Sequence, residues 1–199
     1  MIAFVRGNVA AMTLSSAVVE VGGVGLELMC TPGTLAQLRP GRQATLPTSM
    51  IVREDSLTLY GFADEDEKAI FELVQTASGV GPKVAQAIVA VLSPDGVRTA
   101  ILNEDVKTLT KVPGIGQKGA QRIILELKDR IGAPTGGGAT GAPAGSAPWR
   151  DQVHQGLVGL GYNTRDAEKA VDAVADEAAG PTPDVGALLR AALRSLSKA

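Results

Sequence analysis

A 17-residue stretch occurs twice in this chain, and the duplication constrains the fold more than any other feature. Residues 76–92 read TASGVGPKVAQAIVAVL and residues 111–127 read KVPGIGQKGAQRIILEL. A shift of 35 residues aligns the glycines, the lysine that follows them and the apolar positions of the next segment. Repetition at a fixed spacing indicates a duplicated structural unit. Two copies predict a pair of similar units rather than an extended repeat array.

Each copy predicts a turn that leads into the start of a helix. Glycine has no Cβ, so it allows turn conformations and close approaches that other residues do not. The first amides of a helix have no intrahelical acceptor and lie at the positive end of the helix dipole. Together with Lys83 and Lys118, each turn is therefore predicted to bind a phosphate group. The glycines concerned are Gly79, Gly81, Gly114 and Gly116.

Contacts of this kind would hold a nucleic acid by its backbone without reading its sequence. The alternative interpretation is that the glycines only make tight turns between packed helices. A lysine at the same place in both copies favours phosphate binding over that alternative.

The distribution of charge permits nucleic-acid binding despite a formal net charge of −2. Residues 76–132 contain eight basic and five acidic side chains, which gives this segment a net charge of +3. Attraction to phosphate depends on the local field, so a basic face can coexist with an acidic remainder.

Residues 1–63 are predicted to form a small barrel. Five short segments of alternating or valine-rich sequence, separated by glycine, proline and polar turns, predict five antiparallel strands, with one helical turn in TPGTLAQLR at 31–39. That number of strands in about 60 residues is typical of an OB-fold. Glu54 and Asp55 lie in a predicted hairpin turn, where adjacent acids are usually solvated turn residues.

Residues 64–131 are predicted to be helical, forming two helical hairpins. Asp64 is expected to cap the first helix, whose run of four acids is expected to face solvent. Ser93 before Pro94 predicts a second helix start, and Asn103 a further one.

Residues 132–148 consist almost entirely of Gly, Ala, Pro, Thr and Ser, without charge, and predict a flexible linker with a reach of about 23 Å. Residues 149–199 are predicted to form a small domain of three helices, similar to a UBA domain. The last helix is expected to be capped by Thr182 with Pro183 at its first position. A small domain on a linker more often captures a protein partner than performs chemistry. The whole chain is thus predicted to be an α+β multidomain protein.

The motifs GVGPK and GIGQK resemble helix-hairpin-helix DNA-binding motifs, and the tandem pair resembles the middle domain of the RuvA family. VREDSLTLYGF at residues 52–62 and the C-terminal helices extend the resemblance over nearly the whole chain. This family supplies the subunit that binds Holliday junctions in bacterial branch migration, in DNA recombination, repair and the SOS response. The positions that the resemblance assigns to DNA binding are Gly79, Val80, Gly81, Lys83, Gly114, Ile115, Gly116, Lys118 and Arg122.

The resemblance also implies roles outside the hairpins. Glu54 and Asp55 match an acidic pin that projects toward the junction centre and repels phosphates there. The C-terminal domain matches the one that binds the RuvB motor. Its candidate contact residues here are Leu157, Leu160, Tyr162 and Leu193. The resemblance further implies a homotetramer, with one or two tetramers per junction left open, and RuvC resolvase as a further partner.

No catalytic machinery is evident in the sequence. There is no GxxxxGK[ST] loop for ATP, and with His154 as the single histidine only one Ser/His/Asp set could be considered. The chain is therefore predicted to be a non-catalytic subunit without a cofactor, and ATP hydrolysis is assigned to RuvB. The alternative is a helix-hairpin-helix nuclease or DNA glycosylase, for which Asp129 is the only loosely suitable acid.

Two positions depart from the family pattern: Gly119 replaces a common hydroxyl residue and Gln117 a frequently basic one, so the second hairpin is expected to bind more weakly. Cys30 cannot form an internal disulfide, because it is the single cysteine. Neither a secretory signal nor an apolar run of 18 residues is present, so a soluble, cytoplasmic protein is expected.

Overall fold

The computed structural model describes residues 1–133, 148–178 and 183–196. The chain divides into two compact units. Residues 1–133 belong to the first and the described residues from 148 onward to the second. Most of the predicted linker, residues 134–147, lies outside the described residues.

The first unit begins with a closed five-stranded barrel, which confirms the predicted OB-like fold. Its strands follow the order β1-β2-β3-β5-β4 around the barrel. One pairing contradicts the expectation of an all-antiparallel sheet, since β3 and β5 run parallel. The strands are β1 (Phe4–Met12), β2 (Ser16–Val21), β3 (Val24–Cys30), β4 (Gln43–Val52) and β5 (Leu57–Gly61).

Two local features shape the barrel. Gly7 in β1 is required by close packing, because a Cβ there would lie 2.1 Å from the carbonyl oxygen of Glu20 on β2. The predicted helical turn between β3 and β4 is α1 (Pro32–Gln37), and the hydroxyl of Thr31 caps it by accepting from the amide of Thr34. The barrel encloses a core of Val5, Val9, Ala17, Val19, Leu28, Cys30, Leu35, Leu38 and Leu46.

Five helices follow the barrel in the same unit, as the sequence predicts. They are α2 (Glu65–Val74), α3 (Pro82–Val91), α4 (Pro94–Leu102), α5 (Val106–Leu109) and α6 (Gln117–Leu127). Asp64 caps α2 and Ser93 caps α4, as expected. The expectation for Asn103 was wrong: it ends α4, and Asp105 caps α5 instead.

The barrel and the helices are joined by polar and apolar contacts. Glu67 on α2 is buried, and its carboxylate accepts from the hydroxyls of Thr31 and Thr34, each at 3.1 Å, and from the amide of Ala63 at 2.8 Å. This corrects the expectation of solvent exposure for Glu67, whereas Asp64 and Glu65 of the same acidic run are exposed as expected. Tyr60 and Phe62 of the barrel side pack on Phe71 in the helical core, with ring centroids 4.9 and 4.8 Å apart. Because the helical core includes residues on both sides of residue 63, these contacts do not mark a domain boundary, and the boundary at residue 63 stays a prediction.

The described residues of the second unit form three helices, as predicted, and a short 3-10 turn at Ala175–Glu177. The helices are α7 (Pro148–Gly159), α8 (Thr164–Ala173) and α9 (Val185–Leu196). Helix α9 begins later than expected, and Asp184 accepts from the amides of Gly186 and Ala187 at its start. Thr182, the expected cap, lies outside the described residues. The core of this unit includes Trp149, Val153, Leu157, Ala170, Leu188 and Ala192.

Candidate nucleic-acid interface

The first hairpin turn connects α2 to α3 through two glycines with different backbone conformations. Gly79 has a φ of +85°, a value that L residues with a side chain rarely adopt. Gly81 is the N-cap of α3, with φ −86° and ψ 173°, and its carbonyl accepts from the amide of Ala85 at 2.9 Å. The turn itself is closed by a bond from the amide of Val80 to the carbonyl of Ala77, at 3.1 Å.

The second hairpin turn, between α5 and α6, reproduces this geometry. Gly114 has a φ of +89°, and Gly116 is the N-cap of α6 with φ −89° and ψ 174°. The amide of Ile115 donates to the carbonyl of Val112 at 3.1 Å, and that of Ala120 donates to Gly116 at 2.9 Å. The repeated sequence is thus a repeated backbone conformation.

Both helix starts are open to an approaching group. Within the described residues, no side chain forms a cap hydrogen bond at Gly81 or Gly116. A Cβ built on either glycine would have no heavy atom of these ranges within 4 Å, its chain neighbours aside. The two starts differ in one respect, since Pro82 at the first position of α3 has no amide hydrogen and Gln117 of α6 has one. Because each start is open and has further amides in its first turn, both can donate hydrogen bonds to an anion.

The two turns lie side by side in the structure. The position that a Cβ on Gly79 would occupy is 3.9 Å from a guanidinium nitrogen of Arg122, on the helix of the other hairpin. The equivalent position on Gly114 is 3.7 Å from Val84 of α3. A cleft of about 210 Å³ between the hairpins is lined by residues of both copies, including Gly79, Gly114, Lys118 and Arg122. The structure therefore brings together one predicted glycine of each copy and two of the predicted cations, whereas Gly81, Gly116 and Lys83 are not among the residues that line this cleft.

The cations predicted to bind phosphate are exposed. Lys83 is the second residue of α3 and Lys118 the second of α6, and both side chains are open to solvent, as is Arg122 one turn further along α6. Gly119, a departure from the family pattern, leaves room for a side chain, because a Cβ there would contact only Ile115, at 3.9 Å.

Val80 and Ile115 have a different position from the other predicted site residues. Their side chains are only 7% and 6% exposed and belong to the helical core. Their amides are already used inside the turns. These two residues therefore anchor the turns in the core and do not present a side chain to a ligand.

Sequence reasoning missed two residues that contact the first turn or the segment leading to it. Glu126 on α6 accepts from the amide of Ser78 at 2.8 Å and from its hydroxyl at 3.2 Å. Arg130 donates to the hydroxyl of Thr76 at 3.0 Å. Arg122 and Glu126 are four residues apart on one face of α6, and Arg130 lies in the turn that follows the helix, but this spacing does not indicate their partners in the first copy.

Some of the counted positive charge is neutralised within the fold. Arg98 is buried and bonds to both oxygens of Asp66 and to Asp95, and the hydrogen bond to Asp66 is the main cause that raises the pKa of its guanidinium. Lys128 pairs with Glu104, and this hydrogen bond raises the pKa of the lysine and lowers that of the glutamate. The positive field near the turns therefore comes from the other basic side chains.

Glu54 and Asp55 lie in the exposed turn between β4 and β5, as predicted. The amide of Arg53 donates to the carbonyl of Ser56 at 2.9 Å and closes the turn. Two apolar side chains at the base of the turn are also exposed, Val52 at 62% and Leu57 at 72%. The two carboxylates therefore stand at the end of a projecting hairpin.

The four candidate partner contacts in the second unit separate into two groups. Leu157 is fully buried and Leu193 is partly buried against the same core, so both are packing residues. Leu160 and Tyr162 are 60% and 38% exposed. Val158, which the sequence did not single out, is also exposed, at 41%. The exposed apolar surface of this unit is thus at the end of α7 and in the turn after it.

Across residues 1–133, 148–178 and 183–196, no group of three or more His, Cys, Asp or Glu side chains is placed to hold a metal ion. In the same part of the chain, no single helix has the length and hydropathy to cross a membrane, although Pro82–Val91 and Pro94–Leu102 pass that test together as a pair bent by 100°.

Comparison with known proteins agrees with this architecture. The model of the RuvA N terminal domain matches residues 1–61, the SAM-like helix-hairpin-helix tandem matches residues 71–129, and the RuvA C-terminal domain matches residues 148–197. A protein of a Nocardioides species is 78% identical over 202 residues, with both chains covered completely. The chain belongs to the RuvA family.

More distant relatives cover the chain equally well. Proteins of Streptomyces coelicolor and Thermobifida fusca are 62% and 57% identical, each over 100% of both chains. These two relatives and the Nocardioides protein are named Holliday junction branch migration complex subunit RuvA. The resemblance to the RuvA family inferred from the twin hairpins is thereby confirmed.

Proposed function

We propose that this chain binds four-way DNA junctions by their phosphate backbone and holds them for branch migration by a separate motor. The observation that carries the proposal is the pair of matching helix starts at Gly81 and Gly116, both uncovered and each followed at the second helical position by an exposed lysine. The family relatives are named as subunits of a Holliday junction branch migration complex, which supports the same function.

The mechanism is attachment without base recognition. Each open helix start donates amide hydrogen bonds to a phosphate, and the lysine at the second helical position adds a charge-assisted bond. Neither group reaches a base edge, so affinity depends on the arrangement of the strands and not on their sequence. Neutralising phosphates releases counterions, and affinity therefore falls steeply with salt.

Glu54 and Asp55 act in this proposal as the acidic pin. Their carboxylates project at the end of the β4–β5 hairpin, where negative charge repels phosphates and helps to part strands at the crossover. Replacing them by Gln and Asn keeps the size of each side chain and removes two charges. We expect tighter junction binding or an altered rate of branch migration. If both quantities equal those of the unmodified chain, the pin has no such role.

The remaining partners follow from the same proposal. The second unit recruits the RuvB ATPase through Leu160 and Tyr162, the exposed members of the predicted set. The chain supplies DNA geometry, and the motor hydrolyses ATP. We further propose that the chain assembles into homotetramers, contacts RuvC and acts in the cytoplasm.

The alternative function, a helix-hairpin-helix nuclease or glycosylase, predicts product bands from the purified protein with or without divalent metal. The names of the full-length relatives favour the non-catalytic function. A gel with a labelled four-way junction separates the two, because a retarded and uncut complex supports binding and cleaved strands support catalysis.

The decisive experiment measures junction affinity against salt for a double variant, Lys83→Ala with Lys118→Ala. Removing two phosphate contacts per protomer should reduce the slope of log affinity against log salt by about 0.9 for each contact. The matched control is Lys107→Ala with Lys169→Ala, which removes two exposed charges that belong to neither α3 nor α6. A double variant with the slope of the unmodified chain would count against phosphate binding at the hairpins.

A further inference from the structure

Helix α6 belongs to the second hairpin but contacts the first turn and the segment before it. Arg122 and Glu126 are four residues apart and share a face of α6, and Arg130 lies in the turn that follows the helix. Arg122 approaches Gly79, Glu126 bonds to Ser78, and Arg130 bonds to Thr76. The start of the first turn and the segment before it are therefore held by α6 and by the turn that follows this helix.

Glu126 is the only one of these three residues with a negative charge, which is unexpected beside a proposed phosphate site. A carboxylate close to a phosphate site opposes binding by Coulomb repulsion, so its charge alone cannot serve DNA binding. Its hydrogen bonds suggest a different role. One oxygen accepts from both the amide and the hydroxyl of Ser78, the residue immediately before Gly79. These bonds hold the backbone of Ser78 in place and so determine where the Gly79–Gly81 turn begins.

We propose that Glu126 is a positioning residue, which sets the orientation of the first hairpin turn from the second hairpin and thereby aligns its amides for phosphate. The inference rests on the proposed function, since the aligned groups are those assigned to DNA. Bonds to an ionised acceptor are stronger than neutral ones, which suits a contact that must hold a turn at the surface.

The internal duplication provides a natural control for this role. A 35-residue shift maps Ser78 onto Pro113 and Glu126 onto Val91. Proline has no amide hydrogen and valine has no acceptor, so the equivalent bond cannot form at the second turn. Loss of Glu126 should therefore affect the first hairpin and leave the second unchanged.

The first test uses the full-length chain without DNA. Amide hydrogen exchange at Ser78 should be faster in Glu126→Ala than in the unmodified chain, and near its original rate in Glu126→Gln, whose side-chain oxygen can still accept. Equal exchange rates in all three proteins would overturn the positioning role. This measurement does not depend on whether the chain binds junctions.

The second test separates position from charge by the sign of the effect. Both variants remove one negative charge, so a purely electrostatic role predicts tighter junction binding for both. Positioning predicts that Glu126→Ala binds more weakly by about tenfold or more, as expected for a lost hydrogen bond to a charged group, and that Glu126→Gln retains affinity. Asp129→Ala is the matched control, since it removes a carboxylate near the same helix end that lies beside Lys128 and not at Ser78.

A double-mutant cycle shows which of the two hairpins depends on Glu126 for DNA binding. In the Glu126→Ala background, Lys83→Ala should cost less affinity than it does alone, while the cost of Lys118→Ala should be unchanged. Equal and additive costs at both lysines would overturn the proposal. If the unmodified chain fails to retard a junction, the proposed function fails, and the exchange measurement still decides whether Glu126 holds the turn.

Discussion

Gly79 and Gly114 lie 35 residues apart and adopt the same left-handed backbone conformation, with φ values of +85° and +89°. Each is followed two residues later by a glycine with an ordinary negative φ that caps a helix. The two glycines of a turn therefore serve different purposes. The first allows the bend, and the second leaves the helix start uncovered.

This difference predicts opposite results for two alanine variants of the first turn. Gly79→Ala forces a side chain into a left-handed conformation and should lower the free energy of unfolding by about 1 kcal/mol. Gly81→Ala has no such strain and should leave stability within about 0.5 kcal/mol, but its methyl group enters the open space at the amides and should weaken junction binding. Denaturant unfolding and gel retardation measure the two quantities. Equal stability losses would contradict the assignment.

The buried carboxylate of Glu67 should be essential for stability. Glu67→Leu leaves the amide of Ala63 and two hydroxyls without their acceptor, and we expect a loss of about 3 kcal/mol in the free energy of unfolding. Glu67→Gln should cost less, because its amide oxygen can still accept. Glu65, exposed on the same helix, provides the control, and Glu65→Gln should change stability by less than about 0.5 kcal/mol. Similar losses for Glu65→Gln and Glu67→Leu would show that the barrel contact is unimportant.

Cys30 should be unreactive and should make stability depend on alkaline pH. Burial raises the pKa of its thiol from 9.0 to about 11. The unfolded chain therefore loses this proton first, so the contribution of the thiol is complete below about pH 9 and is lost as pH rises toward 11. The unmodified chain should lose more stability over that range than Cys30→Ala. Thiol labelling at pH 8 should be negligible until denaturant is added, and rapid labelling of the native protein would contradict the burial.

In the second unit, stability and partner binding should depend on different residues. Leu157→Ala opens a cavity in the core and should destabilise this unit by about 3 kcal/mol. Leu160→Ala with Tyr162→Ala should leave its unfolding unchanged and weaken capture of the RuvB motor. Unfolding of the full-length chain and a binding assay with the purified motor separate the two effects. A double variant that captures the motor normally would remove these side chains from the interface.

The parts of the structure that could be predicted from sequence are those determined locally. The helix starts at Pro82 and Gln117 follow from a few consecutive residues, since glycine conformation and helix capping act over one turn of chain. The barrel was predictable from strand number and length. Alternation of apolar residues does not encode strand direction, which is why the parallel pairing of β3 with β5 was missed.

The parts that could not be predicted depend on residues far apart in the chain. Glu67 meets Thr31 across 36 positions, and Glu126 meets Ser78 across 48. No local pattern indicates such partners. For the same reason, Val80, Ile115 and Leu157 were grouped with exposed residues of their motifs, although the packed structure buries all three.

In the free protein, the helix starts at Gly81 and Gly116 have no capping side chain, so their first amides lack a protein acceptor. An amide that lacks an acceptor is satisfied by water at best, and a bound phosphate replaces that water with a charged acceptor. Binding and folding are then coupled, because a ligand that binds only the native state increases the stability of the protein as the ligand concentration rises. If the proposed phosphate contacts form, junction DNA caps both helices, and the melting temperature should rise when it is added.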